Sequence, residues 1–268
     1  MPELPEVETT VRGLEKVLLE RAIASVEPRR ADLRRAFPPD LGQRLTGARV
    51  IGLGRRGKFG LIHTSRGDSL IFHLGMSGKW RIDPERIGPH DHLLLSTDEG
   101  RLLALNDPRR FGSVDLVPTS EIDGWGAIAS LGPEPMALDP GRLHEQLRGR
   151  SAPIKALLLD QRMVAGLGNI YACEALYGAR IHPLKASGKL SRARVAALVE
   201  AIGTVIADAI EAGGSTLRDY ARPDGELGYF SARFTVYGRE GQACGCGGTV
   251  RRTVQAGRST FYCPACQR

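Results

Sequence analysis

The sequence predicts an α+β protein of two domains, and three observations lead to this. Apolar residues at Val7, Val11, Leu14 and Leu18 follow the spacing of one helix face. Between residues 21 and 118, short apolar runs separated by turns indicate many short strands, as in a β-sandwich. Beyond residue 132 the apolar spacing becomes helical, and the chain ends in a cysteine-rich hairpin pattern. A length of 268 residues suits two domains, each with its own core.

The composition favours a polyanionic partner. Lysine and arginine total 37 against 30 acidic residues, a net charge of +7, and nucleic acid is the first candidate. The first ten residues carry acids rather than a basic segment before an apolar run, so no signal peptide is expected. No apolar stretch approaches the ~20 residues that cross a bilayer. We therefore expect a cytoplasmic protein without a membrane partner, in a compartment where disulfides are rare.

The first residues allow two interpretations. If Met1 is removed, Pro2 presents a secondary amine; an α-amino group titrates near ~8, against ~10.4 for a lysine side chain. Such an amine is suited to Schiff-base chemistry, and Glu3 beside it is close enough to move protons. The alternative is an ordinary helix start, with Pro5 in the first turn and Glu6 at the positive end of the helix dipole.

Three clusters stand out in the strand region. They are the basic turn RRGK at residues 55–58, the glycine-flanked loop HLGMSG at 73–78, and the motif NDPRRFG at 106–112. Pro108 makes the last of these a turn, which carries two arginines and an aromatic residue. The ordinary alternatives are a solvated basic turn, a core methionine and a surface loop.

The second half begins with a predicted linker, LGPEP at residues 131–135. A short helix containing Lys155 is predicted over 153–161, and a longer one over 191–212, ended by two glycines. Between them, GLGNIY at 166–171 lacks the third small residue of a dinucleotide fingerprint. It is either a phosphate-binding turn in which Asn169 is free, or a tight helix–helix connection. Residues 213–230 lack periodicity and are expected to form a mobile loop.

The cysteines give the most specific local pattern. Cys244 and Cys246 are separated by sixteen residues from Cys263 and Cys266, and the spacer alternates like a hairpin that turns at residues 256–258. Four thiolates in two close pairs predict one structural zinc ion per chain, with two disulfides as the alternative. Such a closed site leaves no open position for chemistry on the metal. The fifth cysteine, Cys173, is expected to be buried in a helix.

Four motifs together resemble the bacterial formamidopyrimidine-DNA glycosylase family: PELPEVET at residues 2–9, NDPRRFG, GLGNIYA at 166–172, and the terminal cysteines. The resemblance runs nearly end to end. It implies an N-terminal β-sandwich with flanking helices, a helix-two-turns-helix domain and a zinc finger. The implied limits are 1–131 for the catalytic domain, 132–140 for the linker, 141–233 for the DNA-binding domain with a lesion loop at about 213–230, and 234–268 for the finger.

The resemblance also implies an activity. It predicts a monomeric, bifunctional DNA glycosylase and lyase that removes 8-oxoguanine opposite cytosine, and formamidopyrimidines, from damaged double-stranded DNA. Pro2 attacks C1′ of the damaged nucleoside, and Glu3 donates and accepts protons. Lys58 matches the lysine assigned to β-elimination, and Arg258 the arginine assigned to δ-elimination.

Further positions match the family's DNA contacts. Those that fill the gap left by the flipped base are Met76, Arg109 and Phe111; those associated with the DNA backbone are His90, Arg150, Lys155 and Asn169. One departure is visible, because the first cysteine pair of the family usually has two intervening residues and here only Gly245 intervenes. The alternatives are an endonuclease VIII-like enzyme for oxidised pyrimidines and a non-catalytic zinc-finger protein that binds DNA.

Overall fold

The computed structural model describes residues 1–216 and 221–268, which form two compact units. Unit 1 comprises Met1–Ala129 and Ala212–Tyr229, and unit 2 comprises Ser130–Glu211 and Phe230–Arg268. Among the residues described, no helix is both long enough and apolar enough to cross a membrane.

Unit 1 opens with helix α1, Leu4–Leu18, and continues as two four-stranded antiparallel sheets. The strands are β1 Ile23–Pro28, β2 Val50–Arg56, β3 Phe59–Thr64, β4 Asp68–His73, β5 Lys79–Ile82, β6 Asp91–Thr97, β7 Leu102–Asn106 and β8 Ser113–Pro118. One sheet has the order β1-β6-β7-β5 and the other β2-β3-β4-β8. The predicted sandwich of short strands is confirmed.

The core of unit 1 lies between the two sheets and extends under α1. Phe72 on β4 and Trp80 on β5 meet edge to face across it, with ring centroids 5.7 Å apart. Gly60 on β3 makes room for the Phe72 ring, because a Cβ there would lie 2.1 Å from its tip. The apolar face predicted for α1 is buried in the same cluster. Packing of this face therefore anchors the helix that begins just after Pro2 and Glu3.

Three short helical segments in unit 1 were not predicted: α2 at Leu41–Leu45, α3 at Gly126–Ala129 and a 3₁₀ helix at Thr119–Gly124. Each is only one or two turns long, which is too short for the 3.6-residue period to become visible in the sequence. Leu41 and Leu45 are both fully buried, so α2 contributes to the core.

The segment Ala212–Tyr229 groups with unit 1, although the sequence-based limits assigned it to the middle domain. Two hydrogen bonds donated by backbone N–H groups explain this grouping. The Ser215 N–H donates to the Glu6 side-chain carboxylate at 2.7 Å, and the Ile82 N–H donates to the Pro223 carbonyl at 2.9 Å. The lesion loop expected at about 213–230 includes residues 217–220, which lie outside the described residues.

Unit 2 is helical up to a terminal hairpin. Its main elements are α4 Pro140–Leu147, α5 Ile154–Leu158, α6 Asn169–Gly178, α7 Arg192–Glu211, β9 Arg251–Gln255 and β10 Arg258–Tyr262. Helix α6 is buried from Ile170 to Leu176, which means that it is covered on every side, as a central helix must be. The predicted hairpin and the predicted long helix are both confirmed.

The helix predicted over residues 153–161 is shorter than expected, and α4 was not predicted at all. Helix α5 ends at Leu158 because Gln161 closes the following turn instead of extending the helix. Its side-chain amide donates to the carbonyls of Leu159 and Leu167 and accepts the Gly166 N–H. Helix α4 starts inside the predicted linker, where the Asp139 side chain caps it by accepting the Arg142 N–H at 2.7 Å.

Candidate active site and metal centre

The N-terminal end of helix α1 is capped and buried. Pro2 is buried, and its nitrogen forms the peptide bond with Met1. Glu3 is the N-cap residue and forms a capping box with Glu6, whose carboxylate accepts the Glu3 N–H at 2.8 Å. Glu3 and Glu6 are each only 2% exposed. The helix-start interpretation is therefore correct as local structure, and it holds the residues beside Pro2 in a defined position.

Lys58 lies in the two-residue turn between β2 and β3, where Gly57 has a φ of +57°. It is 8% exposed, so this is not a solvated basic turn. Arg55 joins the turn to α1, because its Nε lies 3.0 Å from Oε2 of Glu8. Burial by itself raises the pKa of Glu8, but hydrogen bonds from Arg55 and Arg12 outweigh burial and lower it.

The loops at residues 73–78 and 107–112 pack directly against each other. A Cβ on Gly75 would lie 2.4 Å from the backbone carbon of Phe111, so only glycine permits this approach. Asp107, which is fully buried, accepts the Ser77 hydroxyl at 2.6 Å and the Gly112 N–H at 2.8 Å. The two motifs that stood apart in the sequence therefore form one structural unit.

A cavity of about 450 Å³ opens beside these loops in unit 1. Its lining comprises Met1, Arg34, His73, Gly75, Met76, Arg110 and Phe111. Met76 is 38% exposed and Phe111 is 44% exposed, so the interpretation of Met76 as a core methionine is wrong. The Arg109 guanidinium stacks over the Phe111 ring, 4.9 Å from its centroid. Two exposed apolar side chains thus stand next to the N-terminus.

The sequence did not predict that His73, Arg34 and Arg110 line this cavity. Burial, followed by the charges of Lys58 and Arg34, lowers the pKa of His73 to about 4. Nδ1 of His73 accepts the Gly75 N–H at 3.1 Å, so the proton of the neutral ring is on Nε2, which makes that atom a donor. The HLGMSG motif contained this histidine, but the sequence alone carried no sign that the ring lies in a cavity.

In unit 2, a buried polar network surrounds Lys155. Its ammonium donates to Asn169 Oδ1 and to Thr260 Oγ1, each at 2.6 Å, and the side chain is 1% exposed. The Asn169 amide also donates to the Ser259 carbonyl at 2.9 Å. The Asn169 side chain is therefore engaged within unit 2, and its contact with a phosphate stays a prediction. Together these bonds fasten the start of α6 to β10, directly after Arg258.

Glu174 on α6 was also missed. Its buried carboxylate accepts the backbone N–H groups of Thr235, Val236 and Tyr237 at 2.7–3.0 Å. A carboxylate that accepts several backbone donors fixes the segment that supplies them. In this way α6 positions the segment that leads into the cysteine-rich hairpin.

The other predicted site residues lie at the surface. His90 in unit 1 is exposed, and its carbonyl accepts the Asp107 N–H at 2.9 Å. Arg150, just after α4, is exposed, and its Nε donates to the Gln146 carbonyl at 2.7 Å. Arg258 is exposed at the first position of β10, next to the turn of the hairpin, where Ala256 and Gly257 have positive φ.

The four predicted zinc ligands are brought together in unit 2. The sulfurs of Cys244, Cys246, Cys263 and Cys266 all lie within 4.8 Å of one another. The separations Cys244–Cys266 and Cys246–Cys263 are 3.6 and 3.7 Å. A tetrahedron with Zn–S bonds of about 2.3 Å has edges of about 3.8 Å, whereas a disulfide requires about 2.05 Å. At these sulfur–sulfur separations, the four cysteines fit one structural zinc ion, and the disulfide alternative is excluded.

The one-residue spacing of the first pair is accommodated by glycines. Gly247 has a φ of +84°, and its N–H donates to the Cys244 carbonyl at 2.9 Å. A Cβ on Gly248 would lie 2.9 Å from the Cβ of Ala265 and 3.1 Å from the sulfur of Cys263, so glycine gives this turn room beside the cysteines. The hydrogen bond from the Tyr177 hydroxyl lowers the pKa of the Cys244 thiol to about 6, which favours the thiolate that zinc binds. Cys173 is buried in α6, as expected.

Three family models match the chain. The formamidopyrimidine-DNA glycosylase N-terminal domain matches residues 1–114, and the H2TH (helix-two-turns-helix) domain of the same glycosylases matches 131–221. A zinc finger found in FPG and IleRS matches 246–268. The matched finger range begins at Cys246, although the structure places the sulfur of Cys244 in the same cluster.

Curated relatives and solved structures agree with these matches over the whole chain. Formamidopyrimidine-DNA glycosylases of Rhizorhabdus wittichii and Novosphingobium aromaticivorans are 64% and 63% identical, each covering 100% of both chains. The Lactococcus lactis Fpg in complex with DNA containing an abasic site is 37% identical with a TM-score of 0.91, covering 99% of each chain. MutM (Fpg) of Thermus thermophilus is 41% identical with a TM-score of 0.89, covering 99% of this chain and 98% of that one. The chain belongs to the formamidopyrimidine-DNA glycosylase family.

Proposed function

We propose that this DNA repair glycosylase removes oxidised purines, namely 8-oxoguanine opposite cytosine and formamidopyrimidines, and then cuts the strand as a lyase. After removal of Met1, the Pro2 nitrogen attacks C1′ and the glycosidic bond breaks, so that the base leaves with its bonding electrons and is protonated. The nitrogen loses its proton, the C1′–O4′ bond breaks as O4′ takes a proton from Glu3, and the Schiff base that forms between the nitrogen and C1′ acidifies the C2′ proton. Loss of that proton expels the 3′ phosphate in β-elimination, and loss of a C4′ proton expels the 5′ phosphate in δ-elimination.

Each catalytic role falls to a residue type suited to it. Glu3 donates and accepts protons at the sugar. Lys58 serves β-elimination, and Arg258 serves δ-elimination through its charge, because a guanidinium stays protonated at working pH. The burial of Glu3 and Lys58 supports these roles, since both side chains are held within the fold and not in bulk water.

Met76, Arg109 and Phe111 are proposed to fill the gap that the flipped base leaves. Flipping costs a few kcal/mol, and an apolar wedge offsets it by replacing lost stacking. The exposure of Met76 and Phe111 supports this, since apolar side chains of this size are normally buried. The Arg109 guanidinium offers the donors that an unpaired cytosine requires. His90, Arg150, Lys155 and Asn169 remain proposed contacts to the DNA backbone, and Lys155 and Asn169 are proposed to act through the segment that they hold.

The observation that carries this proposal is the cavity shared by Met1, Met76 and Phe111. Because Met1 lines that cavity and Pro2 follows it in the chain, we expect removal of Met1 to expose the Pro2 amine to the cavity, next to the residues proposed to enter the DNA. The enzyme is proposed to act as a monomer on chromosomal DNA in the cytoplasm.

Borohydride trapping on the full chain tests the proposal. With a duplex that contains 8-oxoguanine opposite cytosine, reduction is expected to produce a covalent protein–DNA adduct, and mass spectrometry should locate it on Pro2. Pro2→Gly should reduce adduct formation strongly while DNA binding persists. A matched duplex with guanine opposite cytosine should give no adduct.

Two outcomes would contradict the proposal. Binding of the damaged duplex without any adduct would favour a non-catalytic DNA-binding protein. Faster trapping on thymine glycol than on 8-oxoguanine would favour an endonuclease VIII-like specificity. The relatives' shared name, over the full length of the chain, supports the purine enzyme.

A further inference from the structure

Tyr177 on α6 approaches the zinc centre from outside the finger. Its hydroxyl oxygen lies 3.2 Å from the sulfur of Cys244. When zinc is bound, the four cysteines are thiolates, which accept hydrogen bonds but have no proton to donate. The phenol must then be the donor. We propose that Tyr177 is a positioning residue of the zinc centre, whose O–H···S hydrogen bond orients Cys244 and slows the loss of the metal.

The Cys244 sulfur receives a hydrogen bond from its own turn and another from α6. The Cys244 N–H donates to the Gly248 carbonyl at 2.7 Å, and the Cys244 carbonyl accepts the Gly247 N–H. These two bonds fix the backbone of the one-residue-spaced pair, and the Cys246 N–H also donates to the Cys244 sulfur. The sulfur of Cys246 receives the Gly248 N–H at 3.4 Å within the same turn. Tyr177 therefore supplies a donor to Cys244 that comes from outside the turn, from α6.

Burial of Cys244 increases the stabilisation that this donor provides. Cys244 is 6% exposed, so water has little access to its thiolate. A buried charged acceptor is stable only when donors replace its lost hydration. Groups that hydrogen-bond to metal ligands typically change metal affinity or activity 10–100-fold when they are removed. The phenol of Tyr177 fits this role in both chemistry and distance.

A second connection joins the other cysteine pair to the same part of unit 2. The buried Gln267 accepts the Cys263 N–H at 2.8 Å and donates to the Ile181 carbonyl at 2.9 Å. Ile181 lies three residues after the end of α6. Tyr177 and Gln267 thus attach both halves of the four-sulfur site to α6 and the residues that follow it. The structure thus assigns α6 and the residues that follow it the role of positioning both cysteine pairs of the metal centre.

The test is the rate of zinc release from the full chain to a chelator, followed with a zinc-sensitive dye. Tyr177→Phe keeps the aromatic ring and removes only the hydroxyl. We expect zinc to leave this variant about 10–100-fold faster than the wild type. In the cobalt-substituted proteins, the sulfur-to-cobalt charge-transfer band should also shift, because one thiolate loses its hydrogen bond.

Tyr262→Phe is the matched control, because it removes a phenol hydroxyl from β10 directly beside Cys263. Its ring packs on His182, with centroids 4.6 Å apart, and this contact does not need the hydroxyl. The control should release zinc at the wild-type rate. Wild-type release from Tyr177→Phe, or equal acceleration in both variants, would overturn the proposal.

The wild-type chain provides a second measurement if Tyr177→Phe does not fold. After replacement of zinc by an NMR-active cadmium isotope, a scalar coupling between the metal and the Tyr177 hydroxyl proton is expected, transmitted through the O–H···S bond. Absence of that coupling, with the hydroxyl proton observed, would show that the phenol does not donate to a ligand sulfur.

Discussion

In unit 1, Met76 and Phe111 stand on loops that are held by close backbone packing around Gly75, on top of an apolar sandwich. In unit 2, the residues near Arg258 are held by a buried ammonium, a buried carboxylate and four sulfurs. Both arrangements contain a buried carboxylate, Asp107 in unit 1 and Glu174 in unit 2, but the first adds close backbone packing and the second adds a buried ammonium and metal ligation.

This difference predicts that the two units are destabilised by different changes. A close-packed region has no free volume, so it is sensitive to an added methyl group and insensitive to chelators. A polar region around a metal loses its stability when a ligand or a charged partner is removed, because the remaining groups are buried without compensation. The following experiments test this contrast, in order of decreasing expected effect.

Zinc removal should give the largest effect and should be confined to unit 2. Structural zinc in small fingers contributes about 10–16 kcal/mol, so β9 and β10 are expected to unfold on chelation. Hydrogen exchange followed by mass spectrometry measures this region by region. The amides of β3 and β4 in unit 1 should keep their protection. Equal loss of protection in both units would contradict the contrast.

Gly75→Ala should be a strongly damaging methyl addition in unit 1. The new Cβ would meet the backbone of Phe111 at 2.4 Å, and the residue has a φ of +60°. We expect a loss of more than about 3 kcal/mol in the free energy of unfolding, measured with urea. Gly67→Ala is the control, since its φ is +77° with nothing within 4 Å of the Cβ; it should cost about 1 kcal/mol. Similar losses in both variants would argue against packing as the cause.

Lys155→Met should weaken DNA binding without changing its salt dependence. The ammonium of Lys155 is bonded inside unit 2, so its loss leaves Asn169 Oδ1 without that donor and costs about 1–3 kcal/mol of stability. A lysine that contacts a phosphate directly would instead reduce the salt slope by about 1. Binding titrations over a range of salt concentrations distinguish the two. Arg150→Ala, at an exposed arginine, is the comparison expected to lower the slope.

His73 should make the stability of unit 1 depend on pH. Its folded pKa of about 4 lies below the unfolded value near 6.5, so the neutral ring is favoured by folding. The stabilisation is present above pH 6.5 and is lost as the pH falls towards 4. Between pH 7 and 5 we expect the wild type to lose about 2 kcal/mol relative to His73→Asn, whose Oδ1 can still accept the Gly75 N–H. Parallel stability curves for the two proteins would refute this.

Much of the fold was predictable because it depends on local pattern. The spacing of Val7, Val11 and Leu14 predicted α1, and short apolar runs separated by turns predicted the strands. Helix α6 was harder, because its residues are apolar all round and give no periodic signal. The end of α5 was missed because a side chain, Gln161, decides it through bonds to distant backbone groups.

For the candidate site, the sequence by itself determined the chemical types: an N-terminal proline beside a glutamate, two arginines next to an aromatic residue, and four cysteines with metal-ligand spacing. These follow from residue identity and short spacing alone. Only the tertiary structure decided that Met1 shares a cavity with Met76, that His73 stays neutral, and that Tyr177 meets Cys244. Burial and charge partners arise from residues far apart in the chain, and no local pattern records which of them folding brings together.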